Sequence, residues 1–299
     1  MSGQAEPLSS APASAADGEI MDNQKPSVDR NDPGTKHDSN LSPHQTSLSK
    51  ALSFYSAYGW RSRVGLIAPS TNTSLEPEFN RMAPEGVSVH VSRVHQAGAQ
   101  GEQSSYQRMA DGIATASSLL ATAEVDVIAF GCTSCTYYVP AEEIHATMAR
   151  EARCPTVVTA EAVTKALRHL KIERVAAVGP RTEMVTKREI EFLQTEGFDV
   201  VSTRCLGLGA TEEERRGIGR VPPEVLYRLA ISADRPDAQA LFVSCTQFPT
   251  IEMIAELESH LGKPVVTSNQ ATFWRCMQLT GYRKPIDGFG KLLSSLDAA

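Results

Sequence analysis

Two pairs of apolar runs recur in register along this chain, and that repetition constrains the fold more than any other feature. "RVGLIAPSTN" (63–72) is matched by "RVAAVGPRTE" (174–183), each an apolar run that closes on a proline. "VDVIAFGCTS" (125–134) is matched by "AQALFVSCTQ" (238–247), each closing on Cys-Thr. Pro69 and Cys132 are 63 positions apart and Pro180 and Cys245 are 65, so the four landmarks keep nearly one interval. A single match between short apolar runs carries little weight. Four in register point to an internal duplication.

Helical patterns lie between the runs. "SSYQRMADGIATASSLL" (104–120) predicts one helix with Tyr106, Met109, Ile113 and Leu120 on a single face. "PAEEIHATMARE" (140–151) predicts a helix with Pro140 in its first turn, and the short β-branched "CPTVVTA" leads into the helical "EAVTKALRHL". Strand and helix in alternation imply βαβ units and a parallel sheet covered on both faces. The fold class expected is therefore α/β: two pseudo-symmetric parallel-sheet domains with the active site in the cleft between them, because ligands of open parallel sheets bind beyond the carboxyl ends of the strands. The boundaries read as 60–165 for the first domain, completed by a C-terminal segment 266–290, and 166–265 for the second. Residues 1–55 differ in kind. Rich in Ser, Pro, Ala, Asp and Asn and nearly without aromatics, they bury too little apolar surface to offset their ordering entropy and read as a disordered tail.

Composition excludes several classes of function. The net charge of −6 gives no basic footprint for nucleic acid, and no apolar run approaches the ~20 residues of a membrane span. The N-terminus lacks the basic-then-apolar pattern of a secretory signal. Six cysteines in 299 residues are too scattered for a disulfide framework, so they read as thiols in a reducing compartment, by default the cytoplasm. A homo-oligomer is compatible with the sequence, which does not state the number of subunits.

Cys132 and Cys245 occupy equivalent strand ends, one per copy. Two domains facing each other would present both thiols to one cleft. A thiol's pKa falls near helix N-termini; Cys245 precedes a helix expected to open at Pro249, and Cys132 lies in a polar turn before Pro140, so both are expected to ionise readily. Thr133, Ser134, Thr246 and Gln247 add donors for an anion. Cys132 and Cys135 stand at C-x-x-C spacing, but Pro140 delays the helix that a redox pair would open, and no second pair or spaced His set completes a zinc site. Cys135, Cys154, Cys205 and Cys276 read as packing residues, since free cysteine is usually a small buried hydrophobe. Asn72 and Asn269, each just past a strand, are either turn formers or ligand donors.

On Pro69-Ser70-Thr71-Asn72-Thr73, Gly131-Cys132-Thr133-Ser134, Val243-Ser244-Cys245 and Thr267-Ser268-Asn269, the chain resembles the aspartate/glutamate racemase superfamily, most of all the branch with maleate cis-trans isomerase and arylmalonate decarboxylase. The resemblance spans about residues 60–285. It implies two similar α/β domains around a cleft, with no metal or organic cofactor and a small-molecule carboxylate substrate. By resemblance, Cys132 adds to the double bond of a cis-enedioate and Cys245 handles the proton at the neighbouring carbon. Asn72 would bind a carboxylate, with Ser70, Thr133, Ser134, Thr246 and Asn269 as further substrate-binding residues. Arg181 stands where the isomerases carry a tyrosine, and the stretch from Arg215 to Gly219 replaces an asparagine-containing turn. Arginines suit carboxylates, although Arg215 lies in the charged run "TEEERR". The isomerase reading competes with a two-thiol racemase, a decarboxylase needing only Cys245, and a non-catalytic binding protein.

Overall fold

The computed structural model describes residues 56–98 and 101–296, so the expected tail at 1–55 lies outside the described residues. The first half runs β1 (Ser62–Pro69), α1 (Leu75–Met82), β2 (Val87–Val94), α2 (Gln103–Asp111), α3 (Ile113–Ala121), β3 (Val127–Phe130), α4 (Ala141–Ala152), β4 (Thr156–Val158) and α5 (Thr159–His169). The second runs β5 (Arg174–Arg181), α6 (Glu183–Thr195), β6 (Asp199–Leu208), α7 (Glu212–Gly217), α8 (Pro223–Ala233), β7 (Ala240–Val243), α9 (Ile254–Leu261), β8 (Val265–Thr267), α10 (Ser268–Leu279) and α11 (Gly290–Ser294). The helix expected over 104–120 is two helices, parted at Gly112.

Both sheets are parallel and four-stranded, in the orders β2-β1-β3-β4 and β6-β5-β7-β8. The two orders are identical once the second copy is renumbered, as the duplicated landmarks require. β3 (VIAF) and β7 (ALFV) are buried at every position, which is why they read as unbroken apolar runs rather than alternating ones. The strand-end proline and the Cys-Thr turn of each copy thus lie at the carboxyl ends of neighbouring central strands.

One core cluster lies between the sheets and includes Leu66, Phe79, Ala166, Phe242, Phe273 and Trp274. Two further clusters fill the outer faces, one per sheet. α5 carries the chain from the first sheet to the second. After β8, α10 returns to pack on α5, α1, β3 and β4. Phe79 meets Phe273 edge-to-face at 5.3 Å across this boundary. Among the described residues no helix is long and apolar enough to cross a membrane.

Candidate active site

The first turn begins where β3 ends. A Cβ on Gly131 would sit 2.2 Å from Leu75 Cδ2, so a side chain there would have to displace Leu75 of α1. Cys132 follows, 5% exposed, and the chain winds at once into a 3₁₀ turn, Ser134–Tyr137. That turn aims the Cys135 backbone N–H at the Cys132 sulfur, while Ser134 Oγ lies 4.0 Å from it. The Cys135 thiol points elsewhere, donating to Tyr106 O at 3.8 Å, and burial drives its pKa far up. The C-x-x-C spacing therefore delivers a backbone donor to Cys132 and not a second reactive sulfur. All six cysteines are free, and no cluster of three or more His, Cys, Asp or Glu among the described residues could hold a metal ion.

The equivalent turn after β7 is built differently. Cys245, also 5% exposed, has φ of 92°, a left-handed conformation that a residue with a Cβ adopts only where its surroundings impose it. Its N–H donates to Ser268 Oγ at 3.1 Å. The helix expected to open at Pro249 begins only at Ile254, because residues 251–253 are irregular turn, so no helix N-terminus faces Cys245. The positive charge near it belongs to Arg181.

Hydroxyls and amides stitch the two turns across the lobes. Thr133 donates to Ser268 Oγ at 3.0 Å; Thr246 donates to Gly131 O at 2.9 Å and receives Asn72 Nδ2 at 3.0 Å. Asn72 Oδ1 accepts from the backbone of Ser74 and Leu75, which starts α1. Its turn-forming and lobe-bridging roles consume all but one amide hydrogen. Asn269 Nδ2 donates to Thr246 O and to Glu78, a buried carboxylate of α1 that also receives Thr250 and Ile251. Asn269 Oδ1 is buried without a partner. Of the predicted set, Ser70 alone stands apart: it is exposed, and its hydroxyl accepts from Gln96 N.

Charge enters from the second lobe. The register of β5 against β6 shifts between Gly179 and Arg181, and Arg181, 4% exposed, turns inward. Its Nη1 reaches Glu189 Oε2 of α6 at 3.3 Å and Ser244 Oγ at 3.4 Å, while its Nε has no partner. Ser244 and Tyr137, one residue from each thiol's own turn region, both donate to the same Glu189 oxygen. Arg215 is 1% exposed despite its charged flanks, held by Gln96 O at 3.4 Å and by Glu212 at 3.9 Å, with Nε unpartnered. Burial pushes the Cys132 thiol above its ordinary pKa. Arg181 and the Cys135 N–H pull it down, and Cys245 repels its anion. For Cys132 the expected lowering is thus reversed, since burial disfavours any charge not fully compensated.

Tyr106, Tyr137 and Glu189 escaped sequence reasoning as site residues, and Ser244 and Ser268 entered it only as parts of the strand-end motifs, without a role of their own. Tyr106 reads as a core residue of its helix, and Glu189 is one glutamate among many. Only Ser268 left a signal, since it stands in the second copy where Thr159 stands in the first, each opening the helix after the last strand. A surface cleft of about 500 Å³ beside β6, with Ile190, Val200 and Arg204 on its walls, contains none of these residues.

Comparison with known proteins places this arrangement. The family model for arylmalonate decarboxylase matches residues 64–293. A maleate isomerase of Pseudomonas putida is 27% identical over 249 residues, 78% of this chain and 97% of the relative. An arylmalonate decarboxylase of Bordetella bronchiseptica is 36% identical over 142 residues, 46% of this chain and 57% of the relative. The crystal structure of the maleate isomerase Iso from Pseudomonas putida S16 superposes with a TM-score of 0.72 at 25% identity, covering 79% of this chain and 99% of that one.

Proposed function

The chain belongs to the arylmalonate decarboxylase family, and from that membership we propose that it is a cis–trans isomerase of a maleate-like dicarboxylate, working through two thiols without a cofactor. The observation that carries the reading is the meeting of Cys132 and Cys245 at equivalent strand ends, buried, within electrostatic reach of each other and of one guanidinium, Arg181. The likeness to a maleate isomerase over 97% of that relative's length supports this reaction over others in the family.

In the proposed reaction Cys132, as thiolate, adds to one alkene carbon of the cis-enedioate. A C–S bond forms, the π bond breaks, and its electron pair passes to the neighbouring carbon and its carboxylate. Cys245 gives that carbon its proton. The former double bond, now single, rotates. Cys245 then takes back the proton, the C–S bond breaks, and the trans alkene leaves with the thiolate restored. No electrons or atoms are gained or lost over the cycle. The Cys135 N–H and Arg181 are suited to the sulfur's negative charge at the start and end. Asn72, Thr133, Ser134 and Thr246 would orient the carboxylate nearest the thiols, Asn269 its surrounding peptide, and Arg181 the negative charge beyond. Six free thiols accord with a reducing, cytoplasmic setting.

The test is maleate in deuterated water followed by NMR. Fumarate should form, Cys132→Ser should abolish turnover, and a Cys245 variant should accumulate a succinyl-mass adduct on Cys132. Full activity in Cys132→Ser would sink the reading. Arylmalonate decarboxylation, which the locally higher identity to a decarboxylase favours, would instead release carbon dioxide and depend on Cys245 alone.

A further inference from the structure

Glu189 of α6 takes no part in the chemistry above, yet three parts of the site end on it. Tyr137, which closes the 3₁₀ turn after Cys132, donates to its Oε2 at 3.2 Å. Ser244, the residue before Cys245, donates to the same oxygen, and so does Arg181 Nη1 at 3.3 Å. Arg181 Nη1 also reaches Ser244 Oγ at 3.4 Å, which closes the set. The side chains of Arg181 and Glu189 are 5% and 6% exposed. One helix serves both lobes because Glu189 and Phe192, three positions apart, share a face of α6. Phe192 meets the Tyr137 ring at 5.4 Å.

Three donors on one oxygen leave it no room for a proton and mark Glu189 as a carboxylate. Burial opposes that charge, while Arg181, Ser244 and Tyr137 favour it. Filling the lobe boundary does not call for charge, since well-packed apolar residues stabilise such a place as well as a buried ion pair does. What the pair changes is the field at the thiols. Burial pushes Cys132 above the ordinary thiol range, and Arg181 is foremost among the groups that pull it back. Arg181 also acts on Cys245 and Tyr106, and Arg215 adds positive charge toward Cys132. Of the charged groups on β5, β6 and the 3₁₀ turn, all packed against α6, only Arg181 acts on Glu189.

We propose that Glu189 is a positioning residue: it ties Arg181 to both cysteine turns and offsets its positive charge, so that the guanidinium stabilises the Cys132 thiolate only in part. The inference rests on Cys132 and Arg181 working at one site, as in the proposed reaction, but not on the reaction itself.

Iodoacetamide alkylation of the full chain without substrate, followed against pH and read at Cys132 by site-resolved mass spectrometry, tests it. Glu189→Gln keeps the shape and removes the charge. It should lower the midpoint of Cys132 by about one pH unit, or about tenfold more thiolate at a given pH below it. Arg181→Gln should raise the midpoint by about as much. Should Glu189→Gln not fold, the double variant, which removes both charges together, should titrate below Arg181→Gln. Tyr137→Phe loosens the same set without removing charge and should leave the midpoint in place. An unmoved or raised midpoint in Glu189→Gln, an equal fall in Tyr137→Phe, or a double variant titrating at or above Arg181→Gln would overturn the role. The expected shifts without fumarate from maleate would keep Glu189 and remove the isomerase. Fumarate with an unmoved midpoint would do the reverse.

Discussion

The Thr133 hydroxyl donates to Ser268 Oγ at 3.0 Å, and that same oxygen receives the backbone N–H of Cys245. One serine from the end of the chain therefore sets the distance between a turn of the first lobe and a turn of the second. Ser268→Ala leaves two buried donors without an acceptor, each costing about 1–3 kcal/mol. We expect kcat to fall about tenfold or more, for a loss of that order, with the rate largely restored in Ser268→Thr. Steady-state kinetics on the three proteins, alongside their melting temperatures, check this.

Cys245 is held at φ 92°. Strain of this kind costs about 1–3 kcal/mol for a residue with a Cβ, and glycine is exempt. Cys245→Gly should accordingly be more stable than Cys245→Ala by about 1 kcal/mol, against the usual ordering of these residues. Urea denaturation of the pair measures it. Neither variant should turn over substrate, so the comparison isolates the backbone.

Glu161 provides a pH signature away from the thiols. Its hydrogen bond from His145, and after it Lys165, hold its pKa down to about 2 from an ordinary 4.5. A depressed carboxyl contributes stability that is present above its unfolded pKa and is lost as pH falls through the folded one. Glu161→Gln should therefore be less stable than the parent at neutral pH. The gap should close between about 4.5 and about 2. Denaturation at several pH values tests the sign, and a gap that widens toward acid would contradict it.

Much of this was legible in the residues. β1, β3, β5 and β7 are buried on both faces, so their apolar runs stand out, and the two strand-end cysteines follow from counting positions. What failed depended on contacts that a linear reading cannot reach. The helix at Pro249 looked continuous with Ile254–Leu261, but the chain there serves Glu78 of the other lobe, whose carboxylate takes the N–H of Ile251 and the Thr250 hydroxyl. The ties of Asn72 to the start of α1 and to Thr246, which leave one amide hydrogen for a ligand, could not be read from the chain either. Arg215 sits among exposed charges in sequence, yet the loop holding Gln96 buries it. No local pattern distinguishes it from Arg216, which is exposed. Tyr106 obeys helical periodicity and is indeed buried, but periodicity does not say that its hydroxyl lacks a partner.

Each Cys-Thr turn is completed by an atom from the opposite half: Thr246 closes on Gly131, and Thr133 closes on Ser268. Neither half therefore closes its own Cys-Thr turn without the other. The two turns are nevertheless unlike. One copy sets Cys132 just ahead of a 3₁₀ turn with a backbone donor at its sulfur, while the other bends Cys245 into a left-handed conformation. Equivalent positions in the two sheets therefore present their thiols from unlike backbones.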